Sequence, residues 1–116
     1  MEDKIGILQK RIIDFRNGRD WKQFHNPKDV ALSLVLEATE VLEHFQWKND
    51  VEVQEYIKTH KDEIGEELAD VLYWVLLMSH DLGLDITNAL EIKLIKNEQK
   101  YPIDKAKGNH LKYNKL

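Results

Sequence analysis

A chain of 116 residues has room for one small domain and only a modest core. It is 42% hydrophobic and 33% charged and has no cysteine, which excludes a disulfide framework and thiolate metal sites and agrees with a reducing compartment. The net charge of −4 disfavours a general nucleic-acid-binding surface, which would carry an excess of basic side chains.

The start, Met1-Glu2-Asp3-Lys4, leads into mixed polar sequence with no visible signal peptide. The longest apolar run, Val71 to Met78, is too short to cross a bilayer, so no membrane role and a cytoplasmic location are expected. Five Gly and two Pro favour long helices over strands and turns. An all-α, four-helix-type bundle over residues 1–102 is predicted.

Ile5, Leu8, Ile12 and Phe15 recur at helical spacing, and Asn17-Gly18 closes that first helix. The loop Arg19 to His25 follows. Asn26 is a good cap and Pro27 suits a first helical position, so a second helix is predicted from Pro27 to Trp47. Its stripe is Ala31, Leu34, Val35, Ala38, Val41, Leu42 and Phe45. Lys48-Asn49-Asp50 closes it, and Val51 to Lys58 is ambiguous. Thr59-His60-Lys61-Asp62 reads as the start of a third helix running to about Ser79. Asp85 can cap a fourth helix to about Lys100, which Pro102 stops. The lysine-rich tail, 103–116, lacks a period and is expected to be mobile or partner-dependent. Leu68 to Met78 is apolar nearly all round, which predicts a homodimer or homotetramer with this helix near the interface.

Glu37 and Glu40 are neighbours on one face of the second helix. On the third, Glu63, Glu66, Glu67 and Asp70 make an acidic stripe, which Trp74 continues. Asp70 stands among Leu68, Ala69, Val71 and Leu72, where a partly buried carboxylate without a partner is costly. A compensating cation follows for Glu37, Glu40, Glu67 and Asp70 as a set. Oxygen ligands without sulfur suit magnesium, with manganese possible in its place. Taken singly, Glu43, Glu63 and Glu66 read as solvated charges.

Trp21 and Trp47 flank the acidic helix in sequence and could stack on a base or simply pack. His25 and His44 could donate to a ligand or be solvated. Lys93, Asn97, Lys100 and Tyr101 share one face of the fourth helix, which could grip a diphosphate or face water.

The pairs Glu37-Ala38-Thr39-Glu40 and Glu67-Leu68-Ala69-Asp70 resemble the paired acidic motifs of the MazG-type all-α NTP pyrophosphohydrolases. The blocks Arg19 to Pro27, Glu43 to Lys48, Glu66 to Leu72 and Asn97 to Pro102 resemble the dCTP pyrophosphatase-like branch. The resemblance implies a magnesium site on the four acids and splitting of a (deoxy)nucleoside triphosphate into its monophosphate and pyrophosphate, to clear surplus or non-standard nucleotides. It makes Trp21 and Trp47 expected base contacts, with Trp74 as a third candidate and His25 as a candidate donor to the base, and it moves Lys93, Asn97, Lys100 and Tyr101 towards phosphate contact. Glu40 or Glu43 would position or deprotonate the attacking water. Leu36, Ile12 and Trp74 depart from the branch's usual residues and leave the preferred base open. The alternatives are a non-catalytic helical oligomer with acidic partner-binding faces, and a dUTP- or phosphoribosyl-ATP-directed member of the superfamily.

Overall fold

The computed structural model describes residues 3–116. Met1 and Glu2, part of the segment searched for a signal peptide, lie outside the described residues. Every regular element among the described residues is helical, as the Gly- and Pro-poor sequence predicts, and none is long and apolar enough to cross a membrane. The chain forms two compact units, one ending at Gly83 and the other running from Leu84 to Leu116.

In the first unit, α1 (Lys4–Gly18) leads through a short 3-10 turn (Lys22–Phe24) into α2 (Pro27–Glu43) and α3 (Asp50–Asp81), and α3 packs against both α1 and α2. Asn26 caps α2 by accepting from Asp29 N at 2.9 Å, with Pro27 in the first turn, as its side chain and the proline's missing donor dictate.

Two boundaries differ from the sequence reading. The second helix ends at Glu43, not Trp47, because the Phe45 N–H turns back to Leu42 O at 2.9 Å and Trp47 takes φ 70°. The third helix begins at Asp50. Asn49 and Glu52 form a reciprocal capping box, with the Glu52 N–H to Asn49 Oδ1 at 2.9 Å and the Asn49 N–H to Glu52 Oε1 at 3.2 Å. Thr59-His60, read as a start, is instead a kink. His60 is non-helical (φ −125°, ψ 19°) and its ring stacks on Tyr56 with centroids 3.8 Å apart.

The core of this unit is small. Val30, Leu76 and Leu77 are its buried apolar residues, and the Gln9 side-chain amide donates to Leu76 O at 2.8 Å and to Ser79 Oγ at 3.2 Å, fastening α1 to α3. Much apolar surface stays open: Leu32, Val35, Leu36 and Leu42 on α2 are each more than half exposed.

In the second unit, Asp85 caps α4 (Ile86–Lys100), accepting from Asn88 N at 3.1 Å. Beyond Pro102 come α5 (Ile103–Ala106) and a 3-10 turn (Tyr113–Lys115), where the sequence shows no period. Tyr113 meets Tyr101 edge-on at 6.2 Å, and the Lys100 ammonium lies 4.7 Å from the centre of the Tyr113 ring.

Candidate active site

Helical spacing places Glu37 beside Glu40 on α2 and Glu67 beside Asp70 on α3, and the packing of these two helices brings both pairs together. One carboxylate oxygen from each of the four lies within 4.8 Å of the others. Glu37 and Glu67 are half-buried, whereas Glu40 and Asp70 are exposed, so Asp70 is not the partly buried carboxylate its apolar neighbours in sequence predict. Glu43, Glu63 and Glu66 stand outside the group, also exposed.

Four carboxylates so close cannot all ionise without opposition. A hydrogen bond shared with Glu40 does most to push Glu67 up to about 7, with desolvation and the charges of Glu40, Asp70 and Glu37 adding to it. Glu37 is raised chiefly by burial, then by its hydrogen bond to Glu40 and by the neighbouring charges, while the Trp74 side chain pulls the other way. Glu37 Oε2 is buried and has no hydrogen-bond partner. An orphaned buried oxygen within an all-oxygen acidic cluster fits a hard divalent cation.

Trp74 stands one turn beyond Asp70. It meets the His25 ring edge-on at 5.5 Å and that of Tyr73 at 5.2 Å. Trp21, half-exposed, packs edge-on against Phe15 at 5.7 Å, and the Arg19 guanidinium covers Phe15 at 3.7 Å. Trp47 is 91% exposed in a left-handed conformation that a bulky side chain rarely adopts, so its ring faces solvent. The His25 imidazole is held below its ordinary pKa by burial and by the Arg16 charge, against the pull of Asp81, and its Nδ1 is buried without a partner. His44 is tied down: its Nδ1 meets Tyr56 Oη at 2.6 Å. Lys93 and Lys100 are exposed on α4 of the second unit, with Asn97 half-buried between them and Tyr101 just after the helix.

The sequence reading missed Arg16 and Asp81. Arg16 is 1% exposed, and its Nη1 and Nη2 donate to Asp81 Oδ2 and Oδ1 at 2.7 and 2.9 Å. Burial alone would raise Asp81, but the Arg16 hydrogen bonds and charge, aided by His80 and Lys22, leave it below the usual carboxylate range. The available signal was spacing. Arg16 lies at i+4 and i+7 from Ile12 and Gln9, on a face that meets α3.

The MazG-like family model matches residues 32–116. The dCTP pyrophosphatase 1 proteins of Rattus norvegicus and Mus musculus are each 36% identical over 117 aligned residues, spanning 99% of this chain and 69% of theirs. The Homo sapiens protein of that name is 35% identical over the same shares. Among solved structures, a pyrophosphatase from Archaeoglobus fulgidus superposes with a TM-score of 0.83 at 35% identity, covering 88% of this chain and 95% of that one.

Proposed function

Because the chain belongs to the MazG-like family and is a nucleoside triphosphate pyrophosphohydrolase, we propose that it is magnesium-dependent and acts on dCTP or a related deoxynucleotide. The products are the monophosphate and pyrophosphate, which suits sanitation of a nucleotide pool. The observation that carries the metal dependence is the meeting of Glu37, Glu40, Glu67 and Asp70 within 4.8 Å.

These four residues would hold the ion, magnesium or manganese, which when bound neutralises phosphate charge and acidifies water. The chain's own groups do the rest. Glu40 or Glu43 orients a water towards the α-phosphorus and takes its proton, the α–β anhydride bond breaks, and pyrophosphate departs. Trp74 lies next to the acidic face and His25 against it, so this side of the first unit receives the base. Trp21 and Trp47 supply further stacking surface, for about 1–3 kcal/mol per stacked base. Lys93, Asn97, Lys100 and Tyr101 are proposed as phosphate contacts on the strength of their shared helical face. The open apolar surface of α2, added to that of Leu68 and Leu72 on α3, supports a homodimer or homotetramer.

Pyrophosphate release should be measured across dCTP, dUTP, the other deoxynucleotides and phosphoribosyl-ATP, with magnesium or with chelator. Turnover of dCTP lost on chelation and restored by magnesium is expected. Equal turnover in chelator would overturn the metal reading, and preference for dUTP or phosphoribosyl-ATP would overturn the assignment of the base.

A further inference from the structure

We infer that the Arg16–Asp81 ion pair, whose guanidinium is buried, is a positioning element for base recognition, joining the loop that carries Trp21 and His25 to the face of α3 that carries Trp74. The inference rests on the reading of Trp21, His25 and Trp74 as base contacts.

Arg16 holds two things at once. Its guanidinium grips both Asp81 oxygens at 2.7 and 2.9 Å, at the last residue of α3. Its backbone carbonyl accepts from Arg19 N at 3.2 Å and Trp21 N at 3.1 Å, setting the turn from which the Trp21 ring leaves. Within that turn Asp20 sits at φ 55°, in the left-handed region that aspartate tolerates better than most non-glycine residues. Asp81 stands seven residues after Trp74 and eleven after Asp70, close to whole helical turns, so all three share one face of α3. His25 lies between the two arms: its ring abuts Trp74, and it lines a cavity of about 390 Å³ together with Lys22, Met78 and Asp81.

Stability alone is a poor account of such a pair. Burying the Arg16 guanidinium is costly and an apolar residue of similar volume could fill the same space, whereas a two-pronged guanidinium–carboxylate bond fixes one mutual placement of the elements it joins. Here the elements joined are those that carry the aromatic side chains. Arg16 itself need touch no substrate; it acts through Trp21 and His25.

The test compares the double variant Arg16→Met/Asp81→Leu with Arg16→Lys, which keeps the charge and loses the fork. Three readouts are taken on the whole protein: the KM-against-kcat split for dCTP, magnesium affinity by calorimetry, and the indole ¹H–¹⁵N signals without nucleotide. In the double variant KM should rise about tenfold, with kcat and magnesium affinity within about twofold of wild type. The Trp21 and Trp74 indole signals should move while that of Trp47 stays. Arg16→Lys should show the same pattern at about a third of the KM change, and serves alone if the double variant does not fold. Unmoved indole signals with an unchanged KM would overturn the inference, as would a rise in KM accompanied by equal losses of kcat and magnesium affinity. The base reading fails separately. If Trp21→Ala and Trp74→Ala leave KM unchanged, that reading is wrong even where the indole signals show Arg16 placing the rings.

Discussion

Acidification should strip metal from the carboxylate cluster well before it unfolds the chain. Glu67 titrates at about 7, first because it shares a hydrogen bond with Glu40 and then because burial and three neighbouring carboxylates oppose its charge. A metal must displace that proton. The ionised fraction of such a group falls from about nine-tenths at pH 8 to about one-tenth at pH 6, so magnesium affinity should drop about tenfold across that range. Calorimetric titration in buffers of different ionisation enthalpy should count about half a proton released per metal at pH 7 and nearly one at pH 6. Glu67→Gln should remove most of this pH dependence while weakening the metal by about tenfold or more. The metal-free protein supplies a sign check. A carboxyl whose folded pKa is raised stabilises fully below its ordinary value of 4.5, and that contribution is lost as pH rises through about 7. His25 runs the other way, since its lowered pKa gives stability present above 6.5 and lost on acidification. Comparing the melting curves of wild type and Glu67→Gln in chelator cancels the histidine and isolates the carboxyl. An identical magnesium Kd at pH 6 and pH 8, with no buffer dependence, would refute the reasoning.

Asp70→Asn should lower kcat by about 100-fold in a pyrophosphate-release assay, while calorimetric melting in chelator shows Tm unchanged or raised, because a repelling charge has gone. Trp47→Ala should raise KM by about tenfold if the ring stacks on a base, yet move stability by less than about 0.5 kcal/mol in urea titration, since the side chain is 91% exposed. Val35→Lys places a charge on the open apolar surface of α2, where Val35 is 60% exposed, and should shift sedimentation towards the monomer with little change in the fold.

The acidic cluster was legible because helical spacing alone places Glu37 with Glu40 and Glu67 with Asp70, and two successive amphipathic helices pack along their stripes. Glu63 and Glu66 share the stripe of Glu67 but stand outside the cluster, in keeping with their reading as solvated charges. The caps at Asn26 and Asp85 were legible because each side chain satisfies a donor within its own first turn. Other features escaped. Tyr56 and His60 stand four apart and stack within α3, but spacing alone does not show that the helix passes on through a kink there, so the sequence reads as a start where the helix only bends. Nor does local sequence show that Trp47 will end α2 in the left-handed region normally left to glycine. The Arg16–Asp81 bond joins residues 65 positions apart, beyond the reach of any periodicity.

Two sets of charges in the first unit obey opposite rules, and the contrast separates structure from chemistry. The two outer nitrogens of Arg16 and the two oxygens of Asp81 satisfy one another, with Arg16 Nε left buried and without a partner, and Asp81 is held ionised below its usual range. Removing Asp81 alone should cost about 3–5 kcal/mol, because the buried Arg16 guanidinium stays behind uncompensated. The acidic cluster does the reverse: its neighbouring carboxylates help raise Glu37 and Glu67, Glu37 Oε2 is left without a partner, and Glu67 stays half-protonated near neutrality. Folding gains nothing from that arrangement, and asparagine or glutamine at any one position would relieve it. A sequence that keeps four carboxylates together, two of them raised, while pairing its buried arginine fits a cluster built to bind a cation, as stability and activity trade against each other at working sites.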